Sequence, residues 1–139
     1  MEGTFQFFDH TADMGVRVRA GTMPELFVTA VEGLYKAVGE IAAGRRLEPF
    51  ALEITGDSSA VILRDALNEI LFFLENRRRK VVGWSRVEFS PGGLEAHGSA
   101  AIVDDAKSMY DREVKAVTYH ELGVRPVDGG FEATFILDI

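Results

Sequence analysis

Two glycine-containing turn signals, each flanked by alternating apolar and polar residues, constrain the fold of this chain most. The first is Pro91-Gly92-Gly93, between residues 81–89 and 94–102, and the second is Asp128-Gly129-Gly130, between residues 124–127 and 131–137. Alternation with period two around such a turn predicts a β-hairpin. Four further segments alternate in the same way and are predicted strands: residues 5–8, 16–19, 50–54 and 114–119.

Only two segments show helical spacing of apolar residues. The first follows Thr22-Met23-Pro24-Glu25, where the Thr22 hydroxyl can accept from the Glu25 amide and Glu25 can reach back, and it runs to about Glu40. The second begins near residues 57–59, each an acceptable N-cap, and runs to about Asn76. Residues 103–112 are polar and predict a loop or a single helical turn.

Strands outnumber helices, and several are joined by hairpins. This pattern predicts an α+β fold in which two main helices pack on a mostly antiparallel or mixed β-sheet. The length of 139 residues suits one compact domain, so we assign residues 1–139 to a single domain.

Composition excludes several classes of function. The chain has no cysteine, which rules out disulfides, thiolate metal sites and a cysteine nucleophile. Its net charge of −7 argues against an autonomous duplex-binding module. There is no phosphate-binding Gly-Lys-Ser/Thr loop and no Gly-x-Ser-x-Gly nucleophile elbow. Without a long apolar run or a basic, apolar leader, we expect a cytoplasmic protein that has no membrane contact.

Residues 9–15 place two carboxylates, an imidazole and a hydroxyl between two predicted strands. Asp9, His10, Thr11 and Asp13 are the polar members of this segment. Polar residues on a loop between rigid elements often build a functional site. The alternative is a turn whose Asp and Thr side chains satisfy local amides.

A second candidate lies at residues 136–139, where Asp138 and the terminal carboxylate of Ile139 can present anionic oxygens at one place. Such oxygens repel one another unless a counterion joins them, and all-oxygen ligands suit Ca²⁺ or Mg²⁺ rather than zinc. A frayed chain end is the alternative, although the apolar residues before Asp138 favour a docked strand.

The third candidate is the segment of residues 114–121. Alternation places Lys115 with Val117 on one face and His120 on the other. A lysine beside carboxylates can hold a phosphate, and the alternative is a solvated lysine on an edge strand. The basic run of residues 77–80 is either a contact for RNA or an acidic partner, or a solvated helix end.

These segments together resemble the archease family, whose members assist the RtcB-type tRNA-splicing RNA ligase. The resemblance rests on five segments: residues 10–15 (His-Thr-Ala-Asp-Met-Gly), 24–27 (Pro-Glu-Leu-Phe), 67–71 (Leu-Asn-Glu-Ile-Leu), 114–120 (Val-Lys-Ala-Val-Thr-Tyr-His) and 137–139 (Leu-Asp-Ile). The commoner family form has isoleucine where this chain has Met14, a swap of similar size.

The resemblance implies a divalent metal site formed by Asp13, Asp138 and the main-chain oxygen of Ile139. It implies calcium as the ion, with magnesium as the substitute. Lys115 is carried over as a functional residue, and His10 as a supporting or structural one. The implied role is a non-catalytic activator that promotes guanylylation and repeated turnover of the ligase, and that meets RNA only through the ligase.

Two other functions fit the same residues. A stand-alone metal-dependent phosphoester hydrolase would use Asp9, His10, Asp13, His120 and Asp138. A general interaction or chaperone module would use an exposed sheet edge and would not depend on the aspartates.

Overall fold

The computed structural model describes residues 1–139, which form two helices and ten strands. Helix α1 is Met23–Val38 and helix α2 is Ser59–Arg77. The strands are β1 (Thr4–His10), β2 (Asp13–Ala20), β3 (Gly39–Glu40), β4 (Glu48–Thr55), β5 (Arg79–Ser90), β6 (Gly93–Ile102), β7 (Met109–Tyr110), β8 (Ala116–Val117), β9 (Gly123–Val127) and β10 (Gly130–Asp138). A 3-10 turn covers Asp105–Lys107.

Both predicted helices are present, and each begins at a hydroxyl cap. The Thr22 hydroxyl accepts from the Glu25 amide at 3.3 Å, and the Ser58 hydroxyl accepts from the Val61 amide at 3.2 Å. The reciprocal half of the predicted capping box is not formed. The Glu25 carboxylate instead accepts from the Gly3 amide at 2.8 Å, which ties the start of the chain to α1.

In the basic run at residues 77–80, only Arg77 is an exposed helix end, and the other three cations contact residues of other elements. Arg78 ends α2 in the left-handed conformation (φ 52°), and its guanidinium donates to the Tyr110 hydroxyl at 2.8 Å. Arg79 and Lys80 open β5, where Arg79 pairs with Glu48 at 3.0 Å and the Lys80 ammonium donates to the Ile41 carbonyl at 3.0 Å. These cations join elements of the fold.

Every strand pairing is antiparallel. The larger sheet has the order β1-β2-β10-β8, with β9 also paired to β10, and the second sheet has the order β4-β6-β5. The β5–β6 and β9–β10 hairpins are formed as predicted, and β1 and β2 form a third. The short strands β3 and β7 pair with one another and were not predicted. The α+β prediction is confirmed.

The core lies where both helices pack against strands of the two larger sheets. In the larger sheet, alternate residues of β2 and β10 face the helices, and six of them are buried: Val16, Val18, Ala20, Ala133, Phe135 and Leu137. The intervening residues therefore face outward, and Asp13 and Asp138 are among them. Neither helix is long and apolar enough to cross a membrane.

The predicted strand over residues 114–119 is much shorter than expected. Only Ala116 and Val117 pair with β10. On its other side β8 meets helix α2 rather than a further strand, so no neighbouring strand prolongs it. Tyr119 lies beyond the strand, 62% exposed, with the Arg64 guanidinium 3.7 Å from its ring centre.

Candidate metal site where the first hairpin meets the last strand

The first hairpin turns back at the residues that the sequence singles out. His10 pairs with Asp13 across the β1–β2 ladder, and Thr11 and Ala12 form the turn. Ala12 adopts φ 65°, a left-handed conformation that is uncommon for a residue with a Cβ. This tight reversal places the His10 and Asp13 side chains on the same, outward face of the sheet.

Strand β10 brings the end of the chain to this hairpin. The β2–β10 ladder ends at the pair Met14 and Leu137, and continuing that register by one residue sets Asp13 opposite Asp138. Directly opposed residues of neighbouring antiparallel strands present their side chains to the same face, about 5 Å apart at Cβ. By this register, two carboxylates that are far apart in the sequence face the same side of the sheet at one of its ends.

Strand β8 holds the end of β10 in place from the other side. Asp138 pairs with Ala116, and the Lys115 amide donates to the Asp138 carbonyl at 2.7 Å. In the same register Ile139 lies beside Lys115, and both residues are exposed. Asp138 is thus part of a hydrogen-bonded strand, so the frayed-end alternative does not describe it.

The two aspartates meet without a basic residue to neutralise them. No lysine or arginine lies within 4.0 Å of the Asp13 carboxylate, whose one nearby ring nitrogen is His10 Nδ1 at 3.9 Å, and Asp138 forms no ion pair. Like charges held side by side favour a bound cation. Carboxylate and main-chain oxygens, from Asp13, Asp138 and Ile139, are ligands that suit a hard divalent ion.

His10 contacts the turn that carries His120, which the hydrolase alternative groups with it, and Glu121, which that alternative leaves out. Its Nε2 lies 3.3 Å from the Glu121 carboxylate, and its ring centre lies 4.9 Å from that of His120. Asp9, by contrast, lies on the opposite face of β1 from His10, because adjacent strand residues alternate. The structure therefore brings His10 and Asp13 together with His120, and it leaves Asp9 out.

Asn68 is a positioning residue that the sequence analysis missed. Its side-chain amide donates to the Val117 carbonyl, and its side-chain oxygen accepts from the Val117 amide, both at 2.9 Å. Asn68 thereby replaces the missing neighbour strand of β8. The signal for this role was a polar side chain next to the apolar stripe of α2, within a segment that also carries the family resemblance.

The fold and the site define a class: a small α+β protein in which two helices pack on antiparallel sheets and paired carboxylates lie where the first hairpin meets the last strand. The profile of the Archease protein family matches residues 5–139. The chain belongs to the archease family, as the resemblance predicts.

Individual relatives match along nearly their full lengths. A "Protein archease" of Methanothermobacter thermautotrophicus is 30% identical over 142 residues, covering 97% of this chain and 98% of the relative. Another of Thermococcus gammatolerans is 29% identical over 140 residues, covering 97% and 98%.

Two solved structures share the fold. The solution structure of protein 1598 of Methanobacterium thermoautotrophicum is 28% identical, with a TM-score of 0.74 and coverage of 97% of this chain and 98% of that one. A crystal structure from Thermotoga maritima, described as an archease and possible chaperone, is 19% identical, with a TM-score of 0.66 and coverage of 95% and 94%. The latter likeness speaks for the fold alone.

Proposed function

We propose that this protein is a non-catalytic, metal-binding activator of an RtcB-type RNA ligase, and that it acts in the cytoplasm. Membership of the archease family supports the assignment, and the metal site is supported by the β2–β10 register, which, continued by one residue, sets Asp13 opposite Asp138. The activator promotes guanylylation of the ligase and its repeated turnover, and RNA reaches it only through the ligase.

Calcium is the proposed ion, with magnesium as the substitute. Asp13 and Asp138 supply carboxylate oxygens and Ile139 supplies a main-chain oxygen. When bound, the ion neutralises the two carboxylates and offers a positive centre to phosphate oxygens or to acidic groups of the ligase. The chain's own contribution is to hold its ligands on two hydrogen-bonded strands, so that little ordering remains when the ion binds.

Lys115 is proposed to place a second positive charge beside the ion. Its main-chain amide is fixed to the Asp138 carbonyl, while its side chain is exposed and forms no ion pair within the chain. An ammonium group held beside a cation site suits a phosphate group of GTP on the ligase. Substituting the side chain leaves the main-chain hydrogen bond intact, so the role of the charge can be tested separately from the fold.

The charge of the whole chain supports a basic partner. A net charge of −7 favours encounter with a positively charged, RNA-handling protein through long-range attraction, and the rate of encounter then falls as salt rises. The same charge repels free RNA. Both properties fit a protein that acts on a ligase rather than on the nucleic acid.

The decisive experiment mixes the purified protein with an RtcB-type ligase, GTP, Mn²⁺ and labelled RNA bearing a 3′-phosphate or 2′,3′-cyclic phosphate and a 5′-hydroxyl. Ligase guanylylation and the number of turnovers are measured with wild type, Asp13→Asn and Asp138→Asn. We expect stimulation by wild type and its loss in both variants. Asp128→Asn is the matched control, because this exposed aspartate lies at the far end of the β9–β10 hairpin.

Lys115→Met is tested in the same assay against Lys107→Met, which removes an exposed lysine from the 3-10 turn. We expect only the first variant to lower stimulation. A wild-type protein that leaves guanylylation and turnover unchanged would overturn the proposal. Equal stimulation by Asp13→Asn and Asp128→Asn would remove the metal site from it.

Two other functions make different predictions in these experiments. A stand-alone hydrolase predicts cleavage of phosphoester substrates by the isolated protein, and the position of His10 close to both Asp13 and His120 is the observation that favours it. A general chaperone, as the Thermotoga maritima protein's description suggests for that protein, predicts that aggregation of an unrelated client is suppressed equally well by Asp13→Asn and wild type.

A further inference from the structure

A second group of metal-ligating side chains lies beside the paired aspartates. One ligand atom from each of His10, His120 and Glu121 lies within 4.8 Å of the other two. The His10 Nε2 faces the Glu121 carboxylate at 3.3 Å, and the two imidazole rings meet edge to face with their centres 4.9 Å apart. From these contacts we propose that His10, His120 and Glu121 bind a second divalent cation, of the zinc type, independently of any ligase.

The turn that carries His120 and Glu121 is held next to His10 by hydrogen bonds. The Leu122 amide donates to the Tyr119 carbonyl at 3.3 Å, which makes His120 and Glu121 the central residues of a β-turn. Glu121 has φ 50°, the left-handed conformation. The Thr118 hydroxyl accepts from the His120 amide at 3.2 Å and donates to the Ile136 carbonyl at 3.1 Å, so the turn is tied to β10.

The ligand atoms of this second group favour a different ion from the one that the paired aspartates favour. Two imidazole nitrogens and one carboxylate oxygen suit Zn²⁺ and Co²⁺, whereas Ca²⁺ and Mg²⁺ prefer oxygen alone. Zinc ligands at about 2.0–2.2 Å from the ion stand roughly 3.4 Å from one another in a tetrahedral site. His120 and Glu121 are exposed, so their side chains have room to rotate toward an ion.

The second nitrogen of His10 has the environment that a metal-binding histidine requires. His10 Nδ1 is buried and has no hydrogen-bond partner, and the nearest carboxylate oxygen, from Asp13, is 3.9 Å away. If Nε2 binds the ion, Nδ1 carries the proton, which then points toward Asp13. Such a carboxylate behind the imidazole orients the ring and strengthens the ligand. An ion pair between His10 and Glu121 alone would not explain why His10 Nδ1 is buried without a hydrogen-bond partner, or why the His120 ring lies so close.

Three protein ligands leave one position of a tetrahedral ion open. Because His120 and Glu121 lie at the surface, that position is accessible to water or to a donor atom from another molecule. The Asp13 carboxylate belongs to the proposed calcium site and also faces His10 Nδ1. Asp13 would therefore bind the calcium ion directly and orient a ligand of the zinc-type ion, and no atom would bind both ions.

The test uses the whole protein after treatment with a chelator, with Co²⁺ as the spectroscopic probe and Zn²⁺ in calorimetric titration. We expect one tightly bound Co²⁺ with the intense visible absorption of a four-coordinate ion, which Zn²⁺ displaces. His120→Ala and Glu121→Gln should each weaken Zn²⁺ binding by about tenfold or more, since each removes a direct ligand. Both substitutions are at exposed positions, and circular dichroism verifies that the variants are folded.

Two control variants isolate the site. His97→Ala removes the remaining histidine, which also faces a carboxylate, with its Nε2 2.9 Å from Glu95, and this change should leave Zn²⁺ binding intact. Asp138→Asn should abolish Ca²⁺ binding and leave Co²⁺ absorption unchanged, so failure of the calcium site is distinguishable from failure of this one. A Co²⁺ spectrum of an octahedral, water-coordinated ion, or equal Zn²⁺ affinity in wild type and His120→Ala, would overturn the proposal.

Discussion

Asn68 and Val117 exchange two hydrogen bonds, each 2.9 Å long, between a helix side chain and the main chain of the two-residue strand β8. Val117 is fully buried, so its amide and carbonyl cannot turn to water when the side chain is lost. The same strand pairs Ala116 with Asp138. Helix α2 therefore supports the candidate metal site through a single amide side chain.

Replacing Asn68 by alanine should destabilise the protein by about 2–4 kcal/mol, because two buried main-chain groups lose their partners. Urea unfolding measures the change. Asn76→Ala is the matched control, since this asparagine lies near the end of the same helix and makes only an exposed 3.3 Å bond to the Phe72 carbonyl. Equal losses of stability in the two variants would contradict the prediction, because the contacts to Val117 would then stabilise the protein no more than the exposed bond of Asn76 does.

The outer face of the larger sheet carries an acid-sensitive carboxylate at the end far from the metal site. Hydrogen bonds from Arg125 and then Arg19 hold the pKa of Glu132 below its usual value. The folded protein therefore binds this proton less readily than the unfolded chain does. The stability that this group contributes is present above the ordinary glutamate pKa and is lost as the pH falls through the lowered one.

Glu132→Gln should accordingly reduce stability at neutral pH and flatten the loss of stability on acidification. Chemical denaturation at a series of pH values from neutral to strongly acidic tests this. Glu75→Gln changes an exposed glutamate of α2 that forms no ion pair. This control should lose stability on acidification as steeply as wild type does. If Glu132→Gln loses stability on acidification as steeply as wild type does, the two arginines do not affect the titration of Glu132.

A buried tyrosine should govern the response to alkali. Burial raises the pKa of Tyr35 to about 12, although the Val81 amide, which donates to its hydroxyl at 2.9 Å, acts in the opposite direction. The folded state keeps this proton more tightly than the unfolded chain. The resulting stability is complete below the ordinary tyrosine pKa of 10.0 and is lost as the pH rises toward 12.

Tyr35→Phe removes both the titrating group and the acceptor of the Val81 amide. We expect a loss of about 1–3 kcal/mol at neutral pH, because the amide is left unpaired in a buried position. The loss of stability above pH 10 should become shallower. Tyr119→Phe, at a 62% exposed position, is the control and should change neither quantity. Identical behaviour of the two variants in urea would refute the prediction.

The sequence predicted the features that depend on local signals. Thr22 and the three cap candidates at residues 57–59 predicted the helix starts, and the turns after Pro91 and Asp128 predicted the hairpins, because caps and tight turns are determined by a few adjacent residues. The fold class follows from those elements. The alternation within β2 and β10 likewise marks their buried faces.

Features that depend on contacts between distant segments were missed or misread. Alternation over residues 114–119 suggested a full strand, but β8 has no strand on its other side, where the side chain of Asn68 bonds Val117 instead, and no local pattern predicts this contact. The Arg78–Tyr110 contact similarly ties part of the basic run to β7. A metal site formed by Asp13 and Asp138 is predicted from the resemblance, and local spacing alone does not supply the register between β2 and β10 that sets them opposite each other.

If that register sets Asp13 opposite Asp138, replacing either aspartate should raise the stability of the protein without metal and lower it, relative to wild type, with Ca²⁺. With a chelator and at low salt, Asp13→Asn and Asp138→Asn should each be more stable than wild type, by about 0.2–1 kcal/mol, because directly opposed like charges on neighbouring strands repel. With Ca²⁺ at about a hundred times its dissociation constant, wild type should gain about 2.7 kcal/mol and the variants almost nothing. Thermal and urea unfolding with and without Ca²⁺ measure both effects. Asp128→Asn should behave as wild type throughout, and a Ca²⁺ response that survives Asp138→Asn would place the ion elsewhere.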